Sequence, residues 1–199
     1  MDSLQTVALA GGLAWASGMR LYAVVFLAGL LGRLEYLHLP ASLQVLENPW
    51  VLGLSGLLLL VEFLADKIPV VDSLWDSVHS FIRIPAGALL AALALGDHDP
   101  AWMVVAGLLG GTLSAGTHAL KAGSRALINT SPEPFSNIAT SLGEDVLVGS
   151  GLAVAIFHPL LFLVLLGFFV ALLIWLLPKL WRGARSLFGW LFGRTRSET

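Results

Sequence analysis

Apolar residues in this chain fall into long blocks separated by short polar stretches, a pattern that predicts six membrane-crossing helices. The blocks cover about 5–32, 49–66, 84–96, 101–126, 132–157 and 159–178, most of them near the roughly 20 residues that a bilayer core requires. The third is short, and Asp72 to about Ile82 ahead of it reads as an amphipathic helix lying in the interface. A five-span alternative treats 84–96 as re-entrant. Helix-start signals precede the second and fifth blocks, Asn48-Pro49 and Ser131-Pro132. Ser131 suits an N-cap, Pro132 the first helical position and Glu133 the first turn.

Acid groups interrupt the blocks where a lipid-facing helix could not carry them. Glu62 and Asp145 each stand 14 residues after their start residue, Asn48 and Ser131. An ionisable group inside a span is costly and marks a functional site by default. Two at matched positions predict a duplicated unit. With three spans per half, the fourth crosses in the opposite sense to the first, which gives an inverted repeat of the kind found in secondary transporters. Gly11-Gly12 through Arg20 in span one and Gly110-Gly111 through His118 in span four both place small residues before a basic group. Small residues alone would also serve close helix packing. The expected fold is an all-α integral membrane protein of about six helices, a 3+3 inverted repeat with helices 1 and 4 broken. Its units are 1–96, 97–178 and a tail, 179–199.

Composition agrees with a membrane protein. Apolar residues make up 57% and charged residues 12% of the chain, with a mean hydropathy of +0.84. A soluble domain has about a quarter charged residues. There is no cysteine, hence no disulfide framework or thiolate metal site. The N-terminal residues lack the basic region of a signal peptide, so the first block is expected to be a retained span. Lys67, Arg83, Lys121, Arg125, Lys179, Arg182, Arg185, Arg194 and Arg196 fall on one side of this topology against Arg33 on the other. That bias predicts both termini in the cytoplasm.

Two polar clusters carry the candidate chemistry. In the first, Glu62 and Asp66 share a helix face, and Asp72, Asp76 and His79 follow an i, i+4, i+7 pattern. Carboxylates with one imidazole suit a divalent cation such as Mg²⁺, Mn²⁺ or Zn²⁺. The plainer alternative is an amphipathic helix with its acids in water. The second cluster comprises His118, Lys121, Arg125, Asn129, Glu133, Asn137, Ser141, Glu144 and Asp145. Capping explains Ser-Pro-Glu-Pro but not the deeper Glu144 and Asp145, whose cost pairing with Arg20, Lys121 or His118 would relieve. The tail from Lys179 to Arg194 mixes Trp and Phe with Arg, which fits an anionic lipid surface better than nucleic acid.

These two clusters and Ala16-Ser17-Gly18-Met19-Arg20 resemble an uncharacterised bacterial membrane family, domain of unknown function 4126 (DUF4126), over roughly residues 5–180. The resemblance implies a multi-pass fold and no particular substrate. Glu62…Asp66-Lys67 is only superficially similar to the acidic motif of a cation/proton exchanger family, since no Gly precedes Asp66 and Ile68 replaces its hydroxyl residue. Asp72…Asp76 likewise lacks the Asp-Gly and Ala-Arg elements of membrane CDP-alcohol phosphotransferases.

Three functions stay open. The first is a small cation transporter or channel, proton-coupled and dimeric, with Glu62 and Asp145 or Glu144 binding the ion. Asp66, Asp72, Asp76 and His79 would then line its cytoplasmic entry, with Arg20 and His118 tuning the centre. The second is a metal-dependent enzyme acting on a lipid-linked phosphate, with metal on Asp72, Asp76 and His79 and phosphate on Lys121 and Arg125. The third is a scaffold whose acids are permanent ion pairs.

Overall fold

The computed structural model describes residues 2–128 and 134–193, and among these the chain forms six helices and no strand. They are α1 (Ser3–Arg33), α2 (Pro49–Ala65), α3 (Pro69–Ala94), α4 (Pro100–Ile128), α5 (Pro134–Phe157) and α6 (Pro159–Gly193), with a 3₁₀ segment at Ala41–Glu47. Five of the six helices open on a proline, whose fixed φ and missing N–H fit the first turn. Side-chain caps complete some starts: Asp2 and Gln5 form a capping box on α1, Asn48 accepts from the Trp50 amide, and Asp99 accepts from Ala101. Among the described residues five helices are long and apolar enough to cross a membrane, or six if the 3₁₀ segment and α2, bent by 65°, count as one.

Span three differs from expectation. Residues 72–82 are not a separate interfacial helix but the first half of α3, which runs unbroken through Pro85. Its polar face is turned inward: Asp72, Asp76, His79 and Arg83 are buried, while Leu74, Val78 and Phe81 are exposed. A helix with its charges inside and its apolar residues outside belongs within lipid, not on its surface. Residues 179–193 likewise continue α6 past Pro178.

The expected break in helix 1 is present, and it turns the chain back on itself. Arg20 has φ −145° and ψ 81°, so the helix breaks there. Gln5 and Leu9, at the start of α1, line one pocket with Tyr36, Leu37 and His38, just past its end. A straight helix of 31 residues would separate those ends by roughly 45 Å. The neighbours along α1 show the reversal. Gly12 packs near Ala155, Trp15 near Gly151 and Arg20 on Ser141, descending α5; Phe26 then lies on Gly56 and Gly29 on Leu46, climbing back along α2. α1 therefore enters the bundle, turns at Arg20 and returns.

The reversal also sets the ends of the bundle. The start of α1 lies at the end of the bundle that holds the α3–α4 turn, where Val7 and Leu95 line one groove. α6 runs from that end, near Gly12, toward Leu173 beside Gly116, so the beginning of α1 and the end of α6 lie at opposite ends. The expected break in helix 4 is absent, since α4 is continuous over Pro100–Ile128.

Close backbone approach holds the doubled helix in place. An 18-residue apolar stretch of α1 is 72% buried, against 11% for α6, so α1 is the core and α6 the periphery. A Cβ on Gly18 would collide with the Ser114 carbonyl of α4. Gly18→Ala is expected to lower thermal stability by about 1–3 kcal/mol, whereas Gly53→Ala, with no atom within 4 Å of its added Cβ, serves as the neutral control. Equal melting temperatures for the two variants in detergent would contradict this packing.

Candidate functional site

Charged side chains from five helices meet where α1 reverses. Arg20 at the break is fully buried, and its guanidinium contacts Asp66 at 2.6 Å and Asp145 at 2.8 Å, with Glu144 at 3.6 Å. It also donates to the Ser141 hydroxyl at 3.0 Å and the Ser141 carbonyl at 3.1 Å. Asp66 caps the C-terminal end of α2, where a helix dipole disfavours an acid. The Arg20 charge offsets that cost.

A second group surrounds Arg83 of α3, which holds Glu62 of α2 and Asp76 of its own helix, the latter at 2.6 Å. Asp76 also receives Lys121 of α4 at 3.3 Å. The third group is built on Arg125, in the last turn of α4, where a cation suits the helix dipole. Arg125 makes a two-pronged pair with Glu144 at 2.9 and 2.8 Å and donates to Asn137 Oδ1 at 3.0 Å. Lys121 lies 3.7 Å from Glu144, which joins the second and third groups; Arg20 lies between Asp66 and Glu144, which joins the first. The result is one continuous network.

Its charge does not balance. Among the described residues the network holds six acids (Glu62, Asp66, Asp72, Asp76, Glu144, Asp145) and four bases (Arg20, Arg83, Lys121, Arg125). Desolvating each ion costs several kcal/mol, which pairing offsets only where the geometry is good. Asp72 is the least well partnered. It is 1% exposed, its nearest base is Arg125 at 3.9 Å, and neither carboxylate oxygen has a hydrogen-bond partner.

Asp72 also borders an opening. A polar pocket of about 230 Å³ is lined by Asp72, Asp76, Ser77, Ser80, His118, Ala122 and Arg125. Ser80 joins the two walls, with its hydroxyl 2.5 Å from His118 Nε2 and donating to the Asp76 carbonyl. Asp72 lies in the first turn of α3. Two wider grooves elsewhere, of about 280 and 320 Å³, have no ionisable side chain in their walls.

The network gathers most of the residues singled out in the sequence but arranges them otherwise than expected. Glu62 and Asp145 belong to the same network, yet neither lines the polar pocket. Asp72, Asp76 and His79 have three different surroundings. Asp76 is taken by Arg83 and Lys121, Asp72 faces Arg125, and His79 stacks on Trp75 at 3.9 Å with Nδ1 2.7 Å from the Trp75 carbonyl. Among the described residues no group of three or more His, Cys, Asp or Glu could hold a metal ion. Asn129 and Glu133 lie outside the described residues.

Arg83 is the member of the network that the sequence does not single out. Its place in the topology predicts a loop charge, whereas it is fully buried, and Lys121 and Arg125 are buried too. The signal was available: 72, 76, 79 and 83 continue one helical face, so Arg83 shares the side of the acids.

A family model described as a domain of unknown function, DUF4126, matches residues 7–179. No curated protein and no solved structure matches the chain.

Proposed function

Because the chain belongs to the DUF4126 family, whose description assigns no activity, its function has to be read from its own site, and we propose that it moves a proton or small inorganic cation across a membrane. The observation that carries this reading is the excess of two acids in the buried network. An uncompensated buried charge is far more costly than a paired one. A bound proton or cation would remove the excess, and exchanging it is the elementary act of a carrier. Asp72 is the natural exchange point, being buried, without a hydrogen bond and open to the polar pocket.

The direct pairing of Glu62, Asp66, Asp76, Glu144 and Asp145 with bases favours a second reading, a scaffold held by permanent ion pairs. The two readings separate at Asp72. The test is ion flux into proteoliposomes, screening H⁺, Na⁺, K⁺, Mg²⁺, Mn²⁺ and Ca²⁺, for wild type and Asp72→Asn.

In the carrier reading wild type should support flux and Asp72→Asn should be inactive, because the amide cannot take up and release the proton or cation. An Asp72→Asn variant with the wild-type flux profile would sink this role, and no flux for any ion would favour the scaffold.

A further inference from the structure

The ammonium of Lys121 has surroundings more suited to a free ion than to a structural lysine. Lys121 is 3% exposed, and its Nζ faces three oxygens from three helices: the Met19 carbonyl of α1 at 3.3 Å, Asp76 Oδ1 of α3 at 3.3 Å and Glu144 Oε2 of α5 at 3.7 Å. The Met19 carbonyl is available because the helix breaks at Arg20, and the last carbonyls of a helical segment lack intrahelical partners. All three distances exceed the roughly 2.7–2.9 Å of a tight ammonium–carboxylate contact. They are wider still than the about 2.0–2.6 Å at which Mg²⁺ and Ca²⁺ take oxygen ligands.

We propose that Met19 O, Asp76 and Glu144 form a binding site for a small monovalent cation, and that Lys121 is a tethered ammonium occupying it at rest. The flexible four-carbon stem of lysine lets the head group withdraw without moving α4. Replacing the ammonium with one free cation leaves the charge of the network unchanged, so Arg83 and Arg125 keep their partners. Asp76 is also part of the wall of the polar pocket, which gives an incoming ion its approach. The inference names the substrate class of the transport reading and rests on that reading for its physiological role; the site itself does not depend on it.

The test uses the full chain in detergent, with thermal unfolding followed in chloride salts of N-methylglucamine, Na⁺, K⁺, ammonium and methylammonium at equal ionic strength. Lys121→Ala opens the site, and Lys121→Met removes the charge while keeping the stem packed. The expected result is a melting temperature lowered in N-methylglucamine and restored in Lys121→Ala by methylammonium, ammonium or K⁺. At about ten times the dissociation constant the rise is on the order of 3 °C. Wild type should show no preference among these salts, its site being filled. Equal response of both variants to all cations would overturn the proposal, as would failure of both to fold in any of the salts. Flux in wild-type proteoliposomes separates this inference from the reading beneath it. A cation response in the variants without flux removes transport and keeps the site, while flux without a cation response does the reverse.

Discussion

Replacing Arg20 with Met should destabilise the protein by about 3–5 kcal/mol, the cost of leaving buried charges without their partner. Three acids depend on this one guanidinium: Asp66 at 2.6 Å, Asp145 at 2.8 Å and Glu144 at 3.6 Å. Glu144 retains Arg125 when Arg20 is lost, but Asp66 keeps only Arg125 at 3.8 Å. Asp145, with a side chain 28% exposed, can recover some solvation, so Asp66 bears most of the loss. A deficit of this size is a large part of the about 5–15 kcal/mol that holds a typical fold together. The measurement is the yield of monodisperse protein in detergent and its melting temperature, with Arg20→Lys as comparison. Lysine keeps the charge but not the two-sided fork, so it should fall between wild type and Met. A stable Arg20→Met variant would show that the break in α1 does not depend on these contacts.

The second large effect is expected at the Arg125–Glu144 pair. Its two parallel contacts, 2.9 and 2.8 Å, have the geometry in which burial of an ion pair is best compensated. Arg125→Met should cost about 3–5 kcal/mol, because it exposes Glu144 and also removes the cation nearest Asp72. Glu144→Gln should cost less, since a neutral amide still accepts a hydrogen bond from the guanidinium. The double variant should be more stable than the sum of the single losses predicts, by about 1–3 kcal/mol, the coupling expected for residues in direct contact. Additive losses in a thermal unfolding cycle would mean that the two charges are stabilised by other neighbours. Flux in the double variant adds a functional readout. A relay that needs Glu144 loses transport even where folding is restored, whereas a structural pair does not.

Much of the architecture could be read before any tertiary structure. The helix start at Pro49 is legible, α4 and α5 fall within a few residues of their expected limits, and α6 begins where expected but runs on to Gly193. Glu62, Asp66, Asp72, Asp76, Glu144 and Asp145 could be singled out because charge inside an apolar run has no other ready explanation. Of their partners, Arg20, Lys121 and Arg125 are legible in the same way. Arg83 is not, because a linear count cannot tell a buried arginine from one in a connector.

The sequence by itself determined that this is a helical membrane protein, where most of its spans lie, and that acids are placed inside them. These are consequences of transfer free energy and local backbone preference, which each segment expresses independently of its neighbours. Only the tertiary structure decided that α1 reverses at Arg20 and that the six acids and four bases form one network. Hydropathy records that residues 5–32 avoid water, but a straight span and a folded-back pair of half-helices satisfy it equally well. The reversal is favoured by contacts from Asp66 on α2 and Ser141 and Asp145 on α5. Those residues lie far along the chain, and no local pattern around Arg20 contains them.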